Sequence, residues 1–258
     1  MAENILEITG LTKQFGGLTA VDNFNFAMPK GEIYGMIGPN GAGKTTVFNL
    51  ITGIIPPTSG TVVFNGENIT NKEPHVIANL GIARTFQNIK LFNALSVFQN
   101  IMTVAQAQAN YTIWEGLIRF GRCAKQERAM REFTNELLEK LDLTKYADMT
   151  ASNLAYGLQR RVEIARALAL RPKLLILDEP AAGMNEDESI ELDNMIVRLR
   201  NDFDLSVLVI DHHMDLMMNL CKKITVLNFG KFVAFGTPDE IKGNEEVITA
   251  YLGVDEDD

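Results

Sequence analysis

The chain has 258 residues, is 46% hydrophobic and 22% charged, and carries a formal net charge of −9, the balance of a globular protein with one core or a core and a lobe. Its acidity disfavours nonspecific binding to DNA, RNA or an anionic lipid surface, and no apolar run approaches the ~18 residues of a membrane span. Two cysteines, Cys123 and Cys221, offer no disulfide framework, and the N-terminal residues lack an export pattern, so a reducing cytosolic setting is expected.

Along the first ninety residues, short β-like runs alternate with turns, and Ile5–Thr9, Phe24–Met28, Glu32–Ile37 and Thr61–Phe64 are the predicted strands. Asn65-Gly66 reads as a hairpin turn. Between Glu32–Ile37 and the helical pattern Thr45–Ile51 lies Gly38-Pro39-Asn40-Gly41-Ala42-Gly43-Lys44-Thr45, which fits G-x-x-x-x-G-K-[ST] in the strand–loop–helix context that a P-loop requires. Gly38, Gly41 and Gly43 let the backbone curl so that its N–H groups, with those at the start of the helix, face phosphate oxygens. Lys44 is then expected at the terminal phosphates of a nucleoside triphosphate and the Thr45 hydroxyl at Mg²⁺.

From about Ser96 to Leu143 the pattern turns helical, rich in Ala, Gln, Glu, Arg and Leu, which predicts an inserted lobe. Alternation then returns: helix Gln159–Leu170, a stop at Pro172, strand Leu174–Leu177, helix Glu186–Asn201, strand Ser206–Ile210, helix Met214–Leu220 and strand Lys223–Asn228. The expected fold class is α/β, with a mainly parallel core sheet, an antiparallel N-terminal β portion and an α-helical insertion. Residues 1–92 and 160–258 are assigned to the nucleotide-binding core and 93–159 to the lobe, all as one ATP-binding domain. The apolar run Leu174–Leu177 ends in Asp178-Glu179, which describes a buried parallel strand opening at the phosphate site. Asp178 is the expected outer ligand of Mg²⁺, and Glu179 the group that orients or deprotonates a water attacking the γ-phosphate.

Between those two elements runs Asn153-Leu154-Ala155-Tyr156-Gly157-Leu158-Gln159-Arg160-Arg161-Val162-Glu163-Ile164-Ala165-Arg166-Ala167-Leu168, which resembles the signature segment of ABC-type ATPases. Gln87 in Arg84-Thr85-Phe86-Gln87-Asn88 matches that family's Q-loop, Asp178 to Asn185 its Walker B and D-loop, and His212 its switch histidine. The resemblance spans essentially the whole chain. It implies ATP and Mg²⁺ as cofactors, held by Gly38, Asn40, Gly41, Ala42, Gly43, Lys44, Thr45 and Thr46. It further implies Gln87 at Mg²⁺ and the attacking water, His212 at the γ-phosphate beside Glu179, and Phe15 stacked on adenine, where the family commonly has tyrosine. His213 is expected to be a packing neighbour and His75 a loop residue.

The same resemblance implies that Ala155, Tyr156 and Gly157 face the P-loop of a second ATPase subunit, identical or paralogous, in a head-to-tail dimer with two ATP molecules between. It also implies two membrane-spanning permease subunits, an extracytoplasmic substrate-binding protein, no nucleic-acid partner, and a location on the inner face of the cytoplasmic membrane. Gly81 to Asn88, the insertion around Tyr111–Gln126, Leu154 to Gly157, Ala181 to Asn185 and Ile248–Gly253 are together similar to the ATPase of branched-chain amino acid importers. Lipopolysaccharide-export and urea-import ATPases share several of these features. Soluble ABC ATPases acting on ribosomes or DNA, and regulatory subunits that bind ATP without turnover, are the other classes compatible with such motifs. Besides Phe15, Ala155 departs from the family pattern by replacing the signature serine, Leu158 by replacing a glutamine, and Asn185 by replacing the D-loop aspartate. An asymmetric ATPase is expected, with a complete P-loop site and a weakened signature.

Overall fold

A computed structural model describes residues 3–107, 122–211 and 214–252. The chain divides into two compact units, one formed by Met1–Arg84 with Lys173–Asp258 and the other by Thr85–Pro172. The sequence pattern set these boundaries at 92/93 and 159/160 instead.

The first unit contains two sheets. β1 (Asn4–Phe15), β2 (Leu18–Pro29), β4 (Ser59–Phe64) and β5 (Glu67–Asn68) form an antiparallel sheet in the order β2-β1-β4-β5. β1 and β2 run several residues beyond the predicted Ile5–Thr9 and Phe24–Met28, and their ladder absorbs register shifts near Ile8 to Lys13. The second sheet has the order β10-β9-β3-β8-β7-β6, from β3 (Ile33–Ile37), β6 (Ile82–Arg84), β7 (Leu174–Asp178), β8 (Ser206–Ile210), β9 (Lys223–Asn228) and β10 (Lys231–Gly236). All of its pairings are parallel except that of β9 with β10. β3, β7 and β8 are buried along their whole lengths, which is why they read as unbroken apolar runs: a strand covered on both faces has no solvent side to mark with polar residues. A core joining Ile8, Phe24, Phe26 and Val62 of the antiparallel sheet to Met36, Ile176, Leu208 and Leu227 of the parallel one holds the two sheets together.

Helices α1 (Lys44–Ile51), α2 (Pro74–Leu80), α6 (Glu186–Asp202), α7 (Met214–Leu220), α8 (Pro238–Lys242) and α9 (Glu245–Leu252) belong to this unit. His75, expected in a loop, lies in the first turn of α2, exposed, with its Nδ1 3.2 Å from Glu73. α6 begins at Asn185, whose side chain accepts the N–H of Glu188 at 2.9 Å while Glu188 reaches back to the Asn185 N–H. Asparagine caps a helix as well as aspartate, so Asn185 meets the local structural demand at that position.

The second unit is helical: α3 (Val97–Gln106), α4 (Arg122–Lys140), two single 3₁₀ turns at Thr144–Tyr146 and Ala151–Asn153, and α5 (Tyr156–Leu168). α3 starts in a capping box between Ser96 and Gln99, and Ile101, Leu137, Leu141, Val162 and Ala165 are among the unit's buried apolar residues. The fully buried Asn100 satisfies its amide locally, donating to the carbonyls of Phe92, Leu95 and Ser96 and accepting the Phe92 N–H at 2.9 Å. That bonding fixes the entry to α3 without leaving a buried polar group unpaired. α5 belongs to this unit because its buried face packs on α3 and its Arg160 bonds to residues 86–87.

Candidate functional site

β3 is buried and central, and its C-terminal edge delivers the chain directly into residues 38–44. Gly43, the residue before α1, has φ 97°, and a Cβ there would stand 2.5 Å from the carbonyl oxygen of Ala20. Gly38 has φ 153°, and a Cβ would meet the Leu227 carbonyl oxygen at 2.1 Å. Both positions therefore exclude a side chain by conformation and by space. The Ala42 N–H donates to the Pro39 carbonyl at 3.1 Å and the Gly230 N–H to the Ala42 carbonyl at 3.0 Å, bolting the loop to the turn between β9 and β10. The first N–H groups of α1 have no carbonyl one turn back inside the helix, so they and the dipole they carry point into the loop.

Lys44 is 9% exposed, and its Nζ donates to the carbonyls of Gly38 at 2.5 Å and Pro39 at 2.8 Å. Burial lowers its pKa, while the nearby charges of Glu179 and Asp178 raise it. Those couplings bring the three residues into one electrostatic neighbourhood, although 134 positions separate Lys44 from Asp178 in the chain (178 − 44). Asn40, Gly41 and Thr45 are exposed, Gly43 and Thr46 half-buried, and Ala42 buried.

Asp178 ends β7, buried, beside Ile210 of β8. Glu179 follows at φ 45°, a left-handed conformation unfavourable for a residue with a Cβ. Its N–H donates to the Ile210 carbonyl at 2.7 Å, and the Ala182 N–H returns to the Glu179 carbonyl at 3.2 Å. The ladder and the turn together hold the strain and leave Glu179 half-buried at the sheet edge. Two residues that sequence reasoning missed complete this neighbourhood. Arg84, at the end of β6, donates from Nη2 to Asp178 Oδ2 at 2.6 Å. Asp211, fully buried, accepts the Ala181 N–H at 3.5 Å. An arginine closing a strand as apolar as Ile82–Ala83 was itself a signal, since a buried guanidinium needs an acidic partner.

Phe15 is 48% exposed at the β1–β2 hairpin, paired across it with Leu18, and Lys13 Nζ lies 5.0 Å from its ring centroid. It is thus a surface aromatic and not part of the apolar core. A loop, helix start and lysine of this kind suit a triphosphate, and the hydroxyl of Thr45 with the carboxylate of Asp178 is a hard oxygen donor set suited to Mg²⁺.

The remaining expected site residues lie in the helical unit or outside the described residues. Gln87 is exposed, and its carbonyl accepts from Arg160 Nη2 at 3.0 Å. Ala155 precedes α5 and offers no side-chain acceptor to it. Tyr156 and Gly157 form the first turn, so that helix too begins with uncapped N–H groups, and Tyr156 Oη accepts from Arg160 Nη2 at 3.2 Å. Leu158 is half-buried. His212 and His213 lie outside the described residues, as do positions 111–121 of the expected insertion and Gly253.

The sequence pattern of the ABC transporter family matches residues 21–182, and that of the branched-chain amino acid ATP-binding cassette transporter matches residues 233–257. The chain is 44% identical over 253 residues to the high-affinity branched-chain amino acid transport ATP-binding protein BraF of Pseudomonas aeruginosa, with 98% of this chain and 99% of that one covered. Identity to LivG of Escherichia coli, a protein of the same description, is 42% over the same length and shares. Among solved structures, the ADP conformation of MJ1267, an ATP-binding cassette of an ABC transporter, superimposes with a TM-score of 0.84 at 30% identity, covering 97% of this chain and 99% of that one.

Proposed function

We propose, for a chain that belongs to the ABC transporter family, that it is the ATP-binding and hydrolysing subunit powering import of branched-chain amino acids. The observation that carries the ATPase reading is the glycine loop after β3, in which Gly38 and Gly43 leave no room for a side chain, with Lys44 inside it and the charges of Asp178 and Glu179 nearby. The cargo class rests on similarity to BraF and LivG along almost the whole chain and on the separate match at residues 233–257.

In this reading Gly41, Gly43, Lys44 and the start of α1 hold the β- and γ-phosphates, and Phe15 offers its exposed ring to the adenine. Mg²⁺, when bound by Thr45 and Asp178, would neutralise charge on the phosphate oxygens. Glu179 takes the proton of a water whose oxygen bonds to the γ-phosphorus as the bond to the β–γ bridging oxygen breaks, leaving ADP and phosphate. Roles for Gln87 and His212 rest on the motif match. The uncapped start of α5 at Ala155, Tyr156 and Gly157 supports backbone N–H donation to the nucleotide of a second ATPase subunit. With a paralogous partner, Ala155, which brings no hydroxyl, makes the two ATP sites unequal; in an identical pair both sites carry the same weakened signature. Among the described residues no helix is long and apolar enough to cross a membrane, and docking on permease subunits, with a substrate-binding protein outside, supplies the membrane passage.

Glu179→Gln is the discriminating variant. It is expected to keep ATP binding, lower hydrolysis by at least about 100-fold, and accumulate a dimer by light scattering in MgATP but not in MgADP. A loss of only a few-fold, or a mass independent of nucleotide, rejects the assignment of Glu179 and of the ATP-bridged dimer respectively.

A further inference from the structure

Arg84 is the last residue of the first unit's N-terminal segment and of β6, where its backbone lies beside Ile176 of β7. Its guanidinium divides between two elements. Nη2 donates to Asp178 Oδ2 at 2.6 Å, and Nη1 donates to Asn49 Oδ1 on α1 at 2.7 Å. The same group lies 5.5 Å from the ring centroid of Phe48, also on α1. The side chains of Arg84 and Asp178 are each 6% exposed, so water does not compete for these bonds. Asn49 follows Thr45 by four residues and shares its face of the helix. One planar fork therefore ties the carboxylate at the end of β7 to the helix that carries Thr45.

We propose that Arg84 is a positioning residue for divalent cation at the nucleotide site, fixing the plane of the Asp178 carboxylate relative to Thr45. This rests on the ATPase reading above, in which those two residues provide the magnesium side of the site. A guanidinium is suited to the task because its donors are held in one plane at fixed angles. Lysine, a single rotatable point charge, would pair with Asp178 or reach Asn49 but would not set their mutual orientation. Oxygen groups that orient metal ligands from behind typically change metal affinity by about 10–100-fold when removed, and the same scale is expected for a cation that orients a carboxylate.

The test uses the full chain with ATP and Mn²⁺ as the probe, bound metal being read by electron paramagnetic resonance and nucleotide separately by fluorescence of a methylanthraniloyl ATP. Arg84→Gln is expected to raise the Mn²⁺ concentration for half-saturation about 10-fold, and to leave nucleotide affinity in EDTA within about two-fold of wild type, because the phosphate-binding loop is untouched. Arg84→Lys should fall between the two. Asn49→Ala should shift the metal midpoint in the same direction by less, and it serves as the test if Arg84→Gln does not fold, since it leaves the ion pair intact. A lowered melting temperature with an unchanged metal midpoint in both variants would make Arg84 a purely structural counter-charge. A midpoint that falls would make it a repulsive neighbour of the metal, and either result overturns the proposal. Wild-type protein whose nucleotide binding shows no response to divalent metal would overturn the ATPase reading as well, and so separates the two failures.

Discussion

Replacing Arg160 with methionine tests the heart of the helical unit. The side chain is fully buried, and its guanidinium donates to Glu163 Oε2 at 2.6 Å, to the carbonyls of Phe86 at 2.7 Å and Gln87 at 3.0 Å, and to Tyr156 Oη at 3.2 Å. Methionine fills similar space but makes none of these bonds, and it leaves Glu163 buried without its counter-charge. Breaking a buried pair from one side costs about 3–5 kcal/mol. At about 2–4 °C per kcal/mol for a chain of this size, the transition should fall by about 6–20 °C. Burial already raises the Glu163 pKa, against the pull of Arg160 and of the Phe86 N–H, and removing Arg160 raises it further. A carboxyl whose folded pKa lies above its unfolded value contributes stability at low pH that is lost as pH rises through the folded pKa. The variant's deficit should therefore be larger at pH 8 than at pH 5. Because two units need not unfold together, calorimetry is best paired with hydrogen exchange of the amides from 86 to 100. The double variant Arg160→Met with Glu163→Leu should recover most of the loss, since apolar replacement of a whole buried pair is often neutral or stabilising. A single-variant cost below about 1 kcal/mol, or a double variant as unstable as the single one, would refute the reasoning.

Gly43→Ala should destabilise the core by about 1–3 kcal/mol and weaken ATP binding, because the new methyl at φ 97° would stand 2.5 Å from the Ala20 carbonyl oxygen. Equilibrium urea unfolding and nucleotide titration measure the two effects, and a variant equal to wild type in both would remove the steric account of the loop. Asp193, on α6, is pushed up to about 6 by burial and then by the charge of Asp211. Its folded pKa is raised, so it favours folding at low pH, and that contribution is lost between about pH 4 and pH 6 as it ionises. Asp193→Asn should thus be near neutral at pH 4 and stabilising by about 1 kcal/mol above pH 7, a figure reduced for partial solvent screening. A pH-independent effect would show that Asp193 does not carry the buried charge.

The sequence by itself determined what is encoded within a few neighbouring residues. Ser206–Ile210, Met214–Leu220 and Lys223–Asn228 are found at the ends expected of them, because a doubly covered strand or a short amphipathic helix writes its burial into a local run of residue types. The P-loop was equally legible, since glycine is required where backbone and space exclude Cβ, as at Gly38 and Gly43. Short elements were not: β6 has three residues, too few to show a period, and α2 was hidden by the turn-like Lys72 to Pro74. Nor could local pattern end the lobe, because α5 is amphipathic on any partner and only its packing on α3 assigns it. The tertiary structure alone decided that Arg84 meets Asp178, 94 residues away, and that Arg160 holds the backbone at 86 and 87. A buried charge announces that it needs a partner, but which partner it receives is settled by the order of strands in the sheet and the face a helix buries, and these are properties of the folded chain.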